Sequence, residues 1–191
     1  MGRAEQKAET RERILASAGK LLRERGIAAA SVQEVMKGAG LTVGGFYAHF
    51  ASKEALVDET IRGTIGRARG MLLRVHEESA IEGVIRRYLS RRHRDEAEVC
   101  PLPAIAGEIA SGAPHGTVLA EELAAHARAL AELLPAGGNR RERALGLLAL
   151  LFGGLTLARA TRGTALSDEI LKACRAFARD GLAAEDERRG T

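Results

Sequence analysis

Residues 40–53 hold three of the chain's six aromatic residues, Phe46, Tyr47 and Phe50, beside Gly44, Gly45, His49 and Lys53. Tyr47 and His49 can donate to phosphate oxygens, and Lys53 adds a point charge. Thr42, at the start of a short helix, offers a hydroxyl and backbone N–H groups to a phosphate. Val43 is small and apolar enough to meet a thymine methyl. Two glycines inside a helix cost about 1 kcal/mol each relative to alanine, a cost that suits close approach to another backbone. Phe46 and Phe50 are expected to face inward as anchors. This pattern points to a short helix presented to DNA; the alternative is a glycine-weakened core helix with a chance aromatic cluster.

The elements before it have the spacing needed to hold it. Ile14, Leu15, Ala18, Leu21 and Leu22 form one face of a helix starting near Thr10 and stopped by Gly26. Ser31 and Glu34 make a capping box for a second helix, whose apolar contacts are Val32, Val35 and Met36. It ends at residues 38–40, one tight turn before Thr42. Two short helices joined by a glycine-containing turn form a helix-turn-helix. Its second helix, residues 42–49, is the one that enters a major groove. Gln33 of the preceding helix is a candidate contributor to sequence preference.

The charge distribution agrees. The chain has 191 residues and a net charge of +4, and residues 1–53 hold nine Lys/Arg against five Asp/Glu. The other 138 residues are balanced, so the excess positive charge lies where a polyanion would bind. Residues 3–13 are charged and lack an apolar core, so no secretion signal is expected. The longest uncharged run, 144–158, has fifteen residues, short of the roughly 18 that suggest a membrane span. A soluble cytoplasmic protein with no membrane partner is expected. Cys100 and Cys174 are too few and too far apart for a disulfide framework.

Residues 9–60 resemble the DNA-binding domain of the TetR/AcrR family of bacterial transcriptional regulators. The likeness runs through Arg25-Gly26-Ile27, Ser31-Val32-Gln33-Glu34-Val35 and Ala39-Gly40-Leu41-Thr42. It continues through Phe46-Tyr47-Ala48-His49-Phe50 and Ser52-Lys53-Glu54-Ala55-Leu56. The resemblance implies an all-α fold of about nine helices. A three-helix DNA-binding domain at 9–53 would precede a larger effector-binding and dimerisation domain at 54–185. It also implies DNA contacts by Ser31, Thr42, Val43, Gly44, Gly45, Tyr47, His49 and Lys53. The expected protein is a homodimeric repressor on a palindromic double-stranded operator, released by a small-molecule effector.

Helical patterns fill the remainder. A helix over 52–76 would link the two parts, and capping residues Ser79 and Glu82 open another through Tyr88. Residues 91–98 read as an exposed helix end or loop. Pro101 opens a short aliphatic helix containing Glu108, and 116–134 forms the next. The last two helices are the most apolar: 144–158 is expected to be buried on every side, and Leu171, Cys174, Phe177, Ala178 and Leu182 form a stripe. Such a pair suits a four-helix dimer interface or the core of a monomer.

No nucleophile elbow, phosphate loop or dinucleotide fingerprint is present, and the five histidines form no ligand pair. Neither an enzyme nor a metal or cofactor is expected. Met71, Tyr88, Glu108 and Phe152 are candidate effector contacts, with core packing the alternative for Met71, Tyr88 and Phe152. Glu108 either meets a cationic ligand or points into solvent. Two other functions stand beside the repressor: a helical interaction module without DNA binding, and a thiol-based redox regulator using Cys100.

Overall fold

The computed structural model describes residues 2–73, 80–96 and 102–187. Among these residues the fold is all-α, with no strand. In order, the helices are α1 (Arg3–Arg25), α2 (Val32–Gly38), a 3-10 helix (Val43–Ala48), α3 (Lys53–Leu73), α4 (Ala80–Tyr88) and α5 (Arg91–Asp95). They continue with α6 (Leu102–Ala110), α7 (Gly116–Leu133), α8 (Arg140–Ala160) and α9 (Ala165–Glu187). Contacts divide the chain into two compact units, one of residues 1–67 with 100–122, the other of 68–99 with 123–191. The chain passes between them within α3 and again within α7.

In the first unit, α1 begins two turns earlier than the apolar pattern requires. Its polar start is held by Glu5, whose carboxylate accepts from the Gly2 N–H at 2.7 Å. Ile14, Ala18 and Leu22 are fully buried, and Gly26 ends the helix with φ 81°, its N–H returning to the Leu22 carbonyl. Ser31 caps α2 by accepting from the Glu34 N–H at 3.2 Å. Ser52 does the same for α3 through the Ala55 N–H. A Cβ on Gly19 would lie 3.4 Å from Thr64 Oγ1 and 3.8 Å from Thr60 Cγ2, so α1 and α3 approach closely there.

The second unit is built on the α8–α9 pair. Leu151, Leu155 and Ala158 of α8 are fully buried, as is nearly all of Leu171 on α9. Gly154 admits α9: a Cβ there would sit 2.7 Å from Cys174 Sγ. By length and composition α8 is apolar enough to cross a membrane, but here its buried face forms the core of this unit. It is not buried on every side, because Leu145 is 42% and Leu157 58% exposed.

Residues 91–95, expected as an exposed helix end or loop, are largely exposed, with His93 buried and Arg94 half-buried. They form a helix capped by Ser90, which accepts from the His93 N–H at 3.0 Å. Arg94 donates to Ser167 Oγ and Asp168, while Arg91 grips Asp168 through two nitrogens. Arg91, with help from Arg94, holds the Asp168 carboxyl below the usual carboxylate range. Arg159 and Arg162 donate to the carbonyl oxygens of His93 and Arg94. The charges are spent on fastening α5 to α8 and the start of α9. Residues 97–98 and Cys100, with the thiol-sensor reading, lie outside the described residues. Cys174 is a free thiol pushed up by burial.

Candidate nucleic-acid interface

Val35 and Met36 bury the inner face of α2, and the chain then turns through Ala39 and Gly40. Gly40 has φ 68°, a conformation that glycine adopts without a Cβ penalty. The turn is closed by the Leu41 N–H donating to the Met36 carbonyl at 2.9 Å. It delivers Thr42 in extended conformation, immediately before the 3-10 helix.

The expected recognition helix is therefore present as a 3-10 segment, tighter than the α-helix the pattern suggests. Its bonds include Gly45 N–H to Thr42 O and His49 N–H to Phe46 O. Gly44 and Gly45 disfavour a regular α-turn, and a short 3-10 turn satisfies the same donors in less chain. Thr42 makes no side-chain cap bond, so its hydroxyl is available to an outside partner.

Side-chain direction separates the buried anchors from the exposed face. Phe46 is fully buried and Phe50 nearly so, their rings stacked 5.8 Å apart. Arg11 covers Phe50 at 4.7 Å from the ring centroid while pairing with Glu59. Thr42, Val43, Gly44, Gly45 and Tyr47 face solvent. Tyr47 is 73% exposed and rests edge-on against Phe46. Gln33 is exposed on α2, while Ser31 is half-buried with its hydroxyl engaged as the cap. Lys53, half-buried, begins α3.

The glycine pair has no internal explanation. Neither residue has positive φ. A Cβ on Gly44 would meet nothing within 4 Å, and one on Gly45 only the end of Met36 at 3.9 Å. The bare backbone faces outward, where a side chain would obstruct only something not belonging to this chain.

His49 closes the segment, half-buried, with its Nδ1 buried and without a hydrogen-bond partner. It lines a surface cleft with Gln6, Lys7, Glu9, Thr10 and Arg13 of α1, whose charged side chains are two basic and one acidic. Sequence spacing did not reveal the role of Arg13, whose Nη2 donates to the Ala39 carbonyl oxygen at 2.6 Å. Nor did it reveal Ser17, whose hydroxyl donates to the Val35 carbonyl. Both fasten α1 to the helix-turn-helix across 18 or more residues, beyond the reach of a periodic pattern.

The candidate effector residues are divided between the two units. Tyr88 is buried and Phe152 half-buried in the second unit, while the Met71 side chain lies outside the described residues. Glu108 belongs to the first unit and is half-buried, its two oxygens accepting from the N–H groups of Ile27 and Ala28. Among the described residues, no three His, Cys, Asp or Glu side chains gather as a metal site.

Residues 14–60 match the family described as bacterial regulatory proteins, tetR family. Over 53 residues the chain is 45% identical to the HTH-type transcriptional repressor KstR2 of Mycobacterium tuberculosis, covering 28% of this chain and 26% of that protein. Over 72 residues it is 35% identical to the HTH-type transcriptional regulator YerO of Bacillus subtilis, covering 38% and 25%. These matches thus span about a quarter of each relative's length. The whole fold resembles that of Escherichia coli NemR in its reduced form, with TM-score 0.76 and 21% identity over 90% of this chain and 96% of that one. A TetR-family regulator from Cytophaga hutchinsonii gives TM-score 0.72 and 18% identity over 92% and 96%.

Proposed function

From the premise that this chain is a bacterial transcriptional regulator of the TetR family, we propose that it is a ligand-responsive repressor acting as a homodimer on a palindromic operator. The observation carrying this reading is the outward, unobstructed backbone of Gly44 and Gly45 between Val43 and Tyr47, on a segment anchored from beneath by Phe46. Thr42, Val43 and Tyr47, with Gln33 alongside, set sequence preference. Ser31, His49 and Lys53 position the segment on phosphates, and salt weakens binding as those contacts release counterions. Gly44 and Gly45 allow the backbone to approach the groove.

Dimerisation is assigned to α8 and α9. Of the six large apolar side chains exposed among the described residues, Val43 and Tyr47 lie on the reading segment. The other four, Leu145, Leu157, Leu166 and Phe177, lie on these two helices. Exposed apolar groups concentrated in this way favour a partner surface, and a second copy pairs them in a two-fold arrangement. Residues 9–53 read DNA, and 54–185 hold the dimer and the effector, with Tyr88, Phe152 and Met71 as proposed contacts. An effector that shifts α3 alters the presentation of the reading segments, and ligand and operator affinities are then reciprocally linked. No catalytic step is required, and the cytoplasm is the compartment in which such a protein meets DNA.

Selection of bound duplexes from a random-sequence pool, followed by gel shift at low and high salt, tests this reading. A palindrome should be enriched, with binding steeply dependent on salt. A folded dimer that enriches no palindrome at low salt would overturn it, leaving a helical interaction module.

A further inference from the structure

The Glu108 carboxylate occupies the space left open by the glycine that ends α1. Glu108 Oε1 accepts from the Ile27 N–H at 2.7 Å, and Oε2 from the Ala28 N–H at 2.9 Å. A Cβ on Gly26 would fall inside this carboxylate, so Gly26 serves the contact as well as the turn. The two partners are some 80 residues apart in the chain, yet residues 100–122 cluster with residues 1–67.

An acidic group at this place runs against the helix dipole, whose C-terminal end carries partial negative charge and favours cations. Arg23 and Arg25 of the last turn follow that preference; Glu108 does not. It is held by two N–H donors just beyond the helix, with both oxygens used. The Glu108 backbone is equally committed, since its carbonyl accepts from Ser111 and Ala113 where α6 ends. A side chain clasping the α1–α2 loop is thus fixed to the last turn of α6.

Two further ties follow along the same segment. His115 Nδ1 lies 2.7 Å from Asp58 Oδ1 on α3, and Arg62 of α3 donates to Glu121 at 3.1 Å. The second half of α6 and the start of α7 are strapped to α1 and α3 at three successive points. The Glu108 tie lies nearest the reading apparatus: Ile27 is buried, its carbonyl accepts from Ala30, and Ser31 follows as the cap of α2.

We propose that Glu108 is a positioning residue for DNA reading, coupling α6 to the helix-turn-helix through the α1–α2 loop. This rests on the DNA-binding function proposed above. The clasp holds the loop that sets the start of α2, so a displacement of α6 is transmitted to the reading segment directly, in addition to any movement of α3. Reciprocity then requires that operator binding at residues 42–53 stabilise α6, which touches no DNA in this scheme.

Hydrogen–deuterium exchange of the full-length protein, with and without the selected operator, tests the coupling. In the wild type, operator should slow amide exchange in residues 102–113. In Glu108→Ala that slowing should vanish, and operator affinity should fall about tenfold, within the usual range of coupling. Glu108→Gln keeps one acceptor oxygen and should recover part of both. Gly26→Ala, which displaces the carboxylate from the other side, should reproduce the Glu108→Ala exchange pattern. Operator-independent exchange in 102–113 of the wild type, or slowing that survives in Glu108→Ala, would overturn the proposal. If the wild type selects no operator, the DNA-binding function fails on its own measurement. The clasp is then judged in the free protein, where unchanged exchange at 26–30 in Glu108→Ala would overturn it as well.

Discussion

Arg13 Nη2 donates to the carbonyl oxygen of Ala39 at 2.6 Å, tying the middle of α1 to the turn that launches the reading segment. Ala39 is 7% exposed, so its carbonyl has little access to water as a substitute. Arg13→Ala is expected to destabilise the fold by about 1–2 kcal/mol and to weaken operator binding measurably. Thermal unfolding and gel shift on the same preparation check both effects. Unchanged affinity would show that the turn keeps its shape unaided.

Gly44→Ala separates stability from recognition. Nothing within 4 Å opposes a Cβ there, and alanine gains up to about 1 kcal/mol of helix propensity over glycine. The unfolding midpoint should hold or rise while operator affinity falls several-fold. A variant that binds as tightly as the wild type would remove the glycine from the recognition scheme.

Leu157 and Phe177 are 58% and 71% exposed on α8 and α9. The double substitution Leu157→Asp with Phe177→Asp should leave helical content intact while sedimentation shows a monomer. Operator affinity should drop sharply, because one reading segment replaces two. A dimer that persists would move the interface elsewhere.

His93 makes the second unit sensitive to acid. Its Nδ1 lies 2.8 Å from the Tyr88 carbonyl oxygen, which can only accept, so Nδ1 carries the proton of the neutral ring. Burial is the main cause lowering its pKa; the Tyr88 hydrogen bond opposes the shift, Arg159 and Arg87 add to it, and Glu96 opposes it. The unfolded chain takes up a proton first, near the ordinary pKa of about 6.5. Stability is therefore fully present above that pH and declines as pH falls toward the lower folded value. Denaturant titrations between pH 7.5 and 5 should show the decline, and His93→Gln should flatten its histidine component. An unchanged slope in that variant would assign the acid sensitivity to other groups.

Gly154→Val should break the α8–α9 seam. The added Cβ meets Cys174 Sγ at 2.7 Å and Leu89 Cδ2 at 3.2 Å, an overpacking worth about 1–3 kcal/mol. Gly154→Ala should be milder, and Cys174→Ala should relieve part of its cost. Independent, additive effects in the double variant would show that the two positions do not share this space.

The parts legible in the residues were the locally encoded ones. The fall of α1 at Gly26, the Ser31 cap of α2, and the inward Phe46 and Phe50 follow from spacing and conformational preference over a few residues. The charged run at 91–95 reads as an exposed helix end or loop, and Arg91, Arg92 and Asp95 are exposed; its ties to Ser167 and Asp168, more than 70 residues away, leave no local trace. Composition announces charge, not where its counter-charge will be. The all-round apolarity of residues 144–158 implies burial on every side, yet Leu145 and Leu157 are exposed.

An all-helical chain, with a stretch near its start that resembles the tetR family of bacterial regulatory proteins, is legible from the residues alone, because turns, caps and apolar periodicity act over distances a local pattern records. What is not legible there is that the segment is a 3-10 turn with an unobstructed glycine backbone, that Arg13 secures its approach, and that Glu108 closes on the end of α1. The last two depend on groups 26 and 81 residues apart meeting at hydrogen-bond distance. No periodicity encodes such meetings; they arise when packed helices bring distant donors and acceptors within reach of one another.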